Sequence, residues 1–158
     1  MWPVTNPYAK FLGDRNPRDV IGQTASQLSA HAARLSGSLT RNPAAGKWSA
    51  RDILAHLADC EVVFAFRLRQ ALSQPNHVIQ PFDQDTWAAT YPTVDAQAAL
   101  AVFSSVRAWN AALIASLTAE QRAKMLNHPE RGDMTVETVV ETMAGHDLNH
   151  LQQLEAIA

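Results

Sequence analysis

Cysteine is nearly missing from this chain: there is one, Cys60, in 158 residues. A lone cysteine excludes an intrachain disulfide framework and suits a reducing compartment. An excess of charge of one sign is missing as well. Thirteen Lys and Arg stand against fifteen Asp and Glu, with no basic run or stripe to track a phosphate backbone, which argues against nucleic acid as a partner. The opening segment "MWPVTNPYAKFLGDRNP" has prolines and Asn6 where a signal peptide needs unbroken apolar residues, and no window approaches a membrane span. The expectation is a soluble, cytoplasmic protein with no membrane partner. Its 158 residues fit a single domain, 1–158, with a core of its own.

What is present is helical grammar. Prolines fall almost entirely outside the periodic stretches, so helices alternate with punctuated loops. Residues 18–39 carry Ile21, Ala25, Leu28, Ala32, Leu35 and Leu39 at steps of three and four, a single apolar stripe. A second helix is expected from about Ala50 to Ser73. Ser49 and Asp52 form its capping box, Trp48 and Ile53 could staple its start, and its stripe runs from Ile53 through Leu57, Cys60, Phe64 and Leu68 to Ala71. Residues 74–93, with Phe82, Trp87 and Tyr91, make a connection long enough to be a crossover or a lid. Thr93 could cap a third helix over 94–117, burying Leu100, Phe103, Val106, Trp109 or Asn110, Leu113 and Leu117. "TAEQ" at 118–121 opens a short extra turn, "NHPERGD" breaks the chain, and Thr135 caps a fourth helix with Met134 and Val139 as a staple. The architecture these patterns predict is all-α, a four-helix bundle with a long crossover between its second and third helices.

Histidine is where the chemistry lies. His146 and His150 in "GHDLNHLQQLE" are four apart, about 6 Å along a helix axis and some 40° around it, so two imidazoles can converge on one metal ion. A third ligand must come from another helix, and His56, on the inward side of the second, is the candidate. Burying an imidazole without a partner costs roughly 2–7 kcal/mol on transfer scales, and a shared cation turns three such costs into ligand bonds. His31 sits off its stripe, His77 lies in the long connection, and His128 precedes Pro129 and shapes a turn. Cys60, four residues after His56, reads either as a small buried apolar residue or as a fourth ligand or reactive thiol. Asp59 and Glu61 read either as surface charge or as carboxylates orienting an imidazole. The aromatics at 74–93 either wall a substrate pocket or simply anchor that segment.

Four segments, "GKWSARDILAHLADCE", "FDQDTWA", "HPERGDMTVE" and "MAGHDLNHLQQLE", together with "NPYAKFLGDRNP" at the start, resemble the DinB and YfiT-like superfamily across nearly the whole chain. The resemblance implies a four-helix bundle described as a mirror variant of the simple up-and-down arrangement. It also implies a divalent metal held by three histidines: by motif His56 from "HLADCE", and His146 and His150 from "HDLNH". Members of this superfamily include S-transferases and isomerases that use low-molecular-weight thiols such as bacillithiol or mycothiol, and they are often homodimers.

Three neutral imidazoles leave a dication at least one open position, the arrangement of a catalytic rather than a closed site. Zinc or nickel, and also iron, suit this ligand set. The leading expectation is therefore a metal-dependent enzyme that activates a thiol or water against a small-molecule substrate, more in the manner of a thiol S-transferase than a hydrolase. Two other readings stay open: a noncatalytic metal-binding or stress-response module stapled by the ion, and a metal-free dimerising helical domain.

Overall fold

The computed structural model describes residues 5–157. A short helix α1, Ala9–Leu12, precedes the first long helix α2, Pro17–Arg34, which Asn16 caps while Pro17 takes the first helical position. α2 stops short of the expected 39. Leu35 leaves helical geometry and "SGSL" turns the chain, although Leu35 itself stays buried. α3, Ala50–Ser73, starts on the expected capping box: Asp52 N donates to Ser49 Oγ at 3.2 Å and Ser49 N to Asp52 Oδ2 at 3.0 Å. Every residue of its expected stripe is buried.

The connection after α3 is tied down at two points. It holds a short helix α4, Gln84–Ala88, and a 3₁₀ turn, Tyr91–Thr93. Ile79 N donates to Asn127 O at 2.8 Å, Asn127 N donates to His77 O at 2.9 Å, and Ile79 and Tyr91 are buried. It is a crossover anchored at Ile79 and Tyr91, with no residue of α4 buried. α5 then spans Ala96–Ser116 with Asp95, not Thr93, as its cap, because Thr93 is used in the 3₁₀ turn. The capping box of Thr118 and Gln121 opens α6, Ala119–Arg122, as expected, and α7, Val136–Glu155, follows the cap at Thr135.

Two features correct the sequence reading. "NHPERGD" is not a simple break. It lies in an antiparallel hairpin, β1 Met125–His128 and β2 Gly132–Thr135, with Met125 opposite Thr135 and His128 opposite Gly132. Four residues per strand are too few to show an alternating pattern. The second correction concerns α5. Its buried side is Ala96, Ala99, Phe103, Arg107, Asn110 and Ile114; of the expected face Phe103, Asn110 and Leu117 are buried, Leu100, Val106 and Leu113 are partly buried, and Trp109 is 70% exposed. An arginine on the core side is what an apolar-stripe search passes over. α5 is also, by length and composition, apolar enough to cross a membrane, contrary to the expectation that no window approaches a span. In the bundle it packs on α2 and α3 through buried polar groups.

The four long helices are arranged so that α2 packs on α5 and α7, and α3 on the same two, leaving the sequence neighbours α2 and α3 diagonally placed. The core has two apolar halves. One holds Ile21, Leu68, Ile114 and Val140; the other holds Leu28, Ile53, Phe103 and Leu154. Read along each helix, α3 and α5 run in the same direction, as do α2 and α7. Two adjacent parallel helices need a connection as long as the bundle, which accounts for the length of residues 74–95.

A polar layer lies between the halves. Arg107, 3% exposed, donates from Nε and Nη2 to Glu61 at 3.0 and 2.7 Å, and from Nη1 and Nη2 to Asp147 at 2.6 and 3.0 Å. Thr24 Oγ1 donates to Asp147 at 2.7 Å, and Asn110 Nδ2 to Glu61 at 2.7 Å. Glu61 is thus neither plain surface charge nor an imidazole's orienting group, the two roles its sequence position suggested. Removing one member of a buried ion pair typically costs about 3–5 kcal/mol, because the partners keep uncompensated charge. Arg107→Ala is expected to lose that much in urea unfolding, while Arg18→Ala, which breaks the half-buried 2.6 Å pair with Glu137, should lose about 1 kcal/mol or less.

Candidate metal centre

α3 and α7 carry the three histidines to one point in this polar layer. His56 is 1% exposed, His146 4% and His150 5%. His56 Nε2 lies 3.0 Å from His146 Nε2, and His150 Nε2 lies 3.1 Å from the same atom. The three rings, one offered from α3 and two from successive turns of α7, have centroids 4.5–5.0 Å apart. The helical step from 146 to 150 does what its spacing predicts, and the inward position of His56 does the rest.

Burial holds all three imidazoles neutral near pH 7. It pushes His56 down to about 3, with the neighbouring His150 adding to the effect. It lowers His146 well below the ordinary histidine value, with His150 and His56 adding, and lowers His150 against a hydrogen bond to Gln153 that works the other way. A neutral imidazole is the form a metal binds.

The donor chemistry fits an ion at this point. His150 Nδ1 lies 2.8 Å from Gln153 Oε1, which puts the ring proton on Nδ1 and leaves Nε2 a bare lone pair. His146 can donate through Nε2 to only one of its two neighbours, so one of the 3 Å contacts opposes lone pair to lone pair. A shared cation satisfies both. A tetrahedral zinc ion about 2.0–2.1 Å from its nitrogens sets them roughly 3.4 Å apart, close to the spacing here. Among the described residues, the group whose ligand atoms lie within 4.8 Å of one another is made of these three histidines.

The walls are aromatic. Trp48 lies 4.9 Å from His56 and stacks on His150 at 6.4 Å; Phe64 meets the edge of His146 at 6.2 Å. Tyr8 packs edge-on against His146 at 5.1 Å from the segment before α1. That approach depends on Gly145, where a Cβ would come within 2.5 Å of Tyr8 O and 2.8 Å of Tyr8 Cβ. A cavity of about 410 Å³ lies beyond Trp48 and Gln153, lined also by Lys47, Ile53 and Ile157. It meets the cluster only through those two side chains.

Cys60 Sγ is 3.5 Å from His56 Nε2, buried, and its thiol is pushed up to about 12 by burial first and then by Asp59. It packs as a protonated thiol against the ring. Asp59 accepts from Tyr91 OH at 3.0 Å, so that carboxylate is tied to the crossover. His31 is partly exposed at 3.7 Å from Glu155, His77 meets Gln74, and Nδ1 of His128 accepts from Glu130 N, shaping the hairpin turn as expected. Sequence reasoning missed Tyr8, Gln153 and the Glu61–Arg107–Asp147 link. Gly145 in mid-helix, beside His146, was the available sign of a close approach.

The DinB superfamily family model matches residues 21–154. The chain belongs to the DinB superfamily. Its relatives include a "putative metal-dependent hydrolase" of Oceanobacillus iheyensis, 26% identical over 71% of this chain and 66% of that protein. A second from the same organism is 24% identical over 85% of this chain and 75% of its own length. One from Bacillus cereus is 25% identical over 71% and 65%. This DinB-superfamily chain thus spans about two thirds of the length of the first of these. Among solved structures, YfiT from Bacillus subtilis, described as having "an unusual four-helix bundle topology", superposes with a TM-score of 0.78 at 22% identity, covering 88% of this chain and 83% of that one.

The orientation of His150 rests on Gln153. Replacing it by Leu leaves the ring free to rotate and to change tautomer, and losses of partners of this kind cost about 10–100-fold in metal affinity. Gln153→Leu is expected to weaken Zn²⁺ or Ni²⁺ binding by that factor in competition titration against a chelator, with the helix content unchanged by circular dichroism.

Proposed function

We propose that His56, His146 and His150 hold a divalent ion, and that the chain is a metal-dependent enzyme acting on a small-molecule substrate. The observation that carries this reading is the convergence of three buried, neutral Nε2 atoms on one point with no carboxylate among them. The curated relatives, each named a "putative metal-dependent hydrolase", support it at the level of reaction class. A bound ion of this kind supplies Lewis acidity, enough to make a coordinating thiol a thiolate outright or to bring water near a pKa of about 7.

The protein's own groups favour a thiol as the nucleophile. Attack by water calls for a base to take up protons, and the carboxylates nearest the histidines are committed elsewhere: Glu61 and Asp147 to Arg107, and Asp59 to Tyr91. A thiol coordinated to the ion would release its one proton to solvent and attack as the thiolate, whereas water must shed a second proton and the leaving group must gain one. Trp48, Phe64 and Tyr8 exclude water around the rings, and Gln153 holds His150 with its lone pair inward. We therefore favour a low-molecular-weight-thiol S-transferase, with hydrolysis as the second reading because of the relatives' names.

Metal analysis and a paired assay test this. The wild-type chain is expected to carry about one equivalent of divalent metal and His150→Ala far less; equal metal in both would sink the site. With metal bound, thiol addition to an electrophile panel should exceed hydrolysis of an ester and amide panel. The reverse ratio would make the protein a hydrolase.

We also propose that a second copy covers the exposed apolar side chains of α3 and α5, Val62, Phe66, Val102 and Trp109. Sedimentation should then give a dimer that Phe66→Glu with Trp109→Glu converts to monomer; a wild-type monomer at micromolar concentration would end this reading.

A further inference from the structure

A second cluster of donors lies along the same face of α3, toward its C-terminal end. Arg67, His128 and Arg131 line a narrow cleft with Phe64 and Thr142. Arg67 comes from α3, His128 from β1 and Arg131 from the hairpin turn. Among the described residues, neither arginine has a carboxylate within 4.0 Å. Arg67 Nε is buried without any hydrogen-bond partner, while its Nη2 is anchored at 3.3 Å on Gln80 O and the guanidinium lies over the Phe82 ring at 5.9 Å. His128 is buried, and because its Nδ1 accepts from Glu130 N at 3.2 Å, its Nε2 carries the proton and is a donor.

Three donor side chains, two of them like charges, with no carboxylate among them and one buried N–H left over, do not assemble for their own stability. Burial first and then the Arg131 charge make the Arg67 charge less favourable, and burial followed by the two guanidinium charges depresses His128. A buried N–H left unpaired in a native structure points to a partner that binds there. Arginine forks match the oxygens of a carboxylate or phosphate, and the geometry gains strength where water is excluded.

We propose that Arg67, Arg131 and His128 form an oxyanion subsite that holds the carboxylate or phosphate end of the substrate whose other end reaches the three-histidine cluster. Calling the ligand a substrate rests on the function proposed above; the anion site itself does not. Phe64 is the shared wall, lining the cleft and meeting the His146 ring at 6.2 Å, and Thr142 is one turn before His146 on α7. Eleven residues separate His56 from Arg67, roughly 16 Å along the helix, and helical side chains lean back toward the N-terminus, which brings Arg67 nearer the cluster. A ligand reaching both places would be an extended small molecule, its anionic group at the mouth of a cleft with only about 10 Å³ inside it.

The test titrates inorganic phosphate and, separately, acetate into the full chain by calorimetry, first after chelator treatment so that no metal can take the anion, then with metal restored. Wild type should bind at least one of the two saturably. Arg67→Gln and Arg131→Gln should each weaken it about tenfold or more, as expected for a lost charge-assisted pair, while Arg131→Lys retains most of the binding. Metal content should be the same in all variants. Phosphate preferred over acetate assigns phosphate esters, and the opposite order assigns carboxylates. Unaltered binding in both Gln variants, or no saturable binding by either anion, overturns the subsite. Failure of the histidines to hold metal, with the arginine dependence intact, removes the enzyme reading and leaves the anion site standing.

Discussion

The guanidinium of Arg107 is the point on which this bundle turns. It is buried at mid-height and binds one carboxylate from α3 and one from α7, while its Nη1 reaches Ile21 O on α2 at 3.3 Å. Its own helix is α5, so all four long helices meet at one side chain. Apolar contacts tolerate sliding by a fraction of a turn, but bidentate ion pairs at 2.6–3.0 Å do not. The pair fixes axial register in a fold where the sequence neighbours α2 and α3 do not pack closely enough to fix it for each other.

That register is what the histidines need. Glu61 is five residues beyond His56, and Asp147 lies between His146 and His150. A helix displaced by one turn would carry its imidazoles some 5 Å away and leave no common point for three nitrogens. The same carboxylates are withheld from the cluster by their bonds to Arg107. One network therefore both aligns the histidines and keeps the cluster all-imidazole.

Much of this was legible because helices advertise themselves. Ser49–Asp52, Thr118–Gln121 and Thr135 marked helix starts that the structure keeps, and the stripe from Ile53 to Ala71 is buried throughout. The juxtaposition of His56 with His146 and His150 followed from spacing, inward position and family resemblance. What escaped were features with no periodic signature. Arg107 lies on the core side of α5, where a polar residue looks like a surface residue until its partner on another helix is known, while the pattern offers Asn110 only as the alternative to Trp109. The β hairpin is too short to alternate. Gln153 and Tyr8 matter only through contacts made across space, one to His150 and one to His146.

Tyr8 and Gly145 touch because the helix has no side chain there, and they stand 137 positions apart in the chain. Closing a loop of that length is among the entropically dearest steps available to a chain of this size. The bundle can form its hairpin and its α3–α5 packing through contacts nearer in sequence. The wall beside His146 cannot be completed until the segment before α1 has come home to α7. The shield over His146 is therefore a contact between nearly opposite ends of the chain, held in place by the packing of α2 on α7.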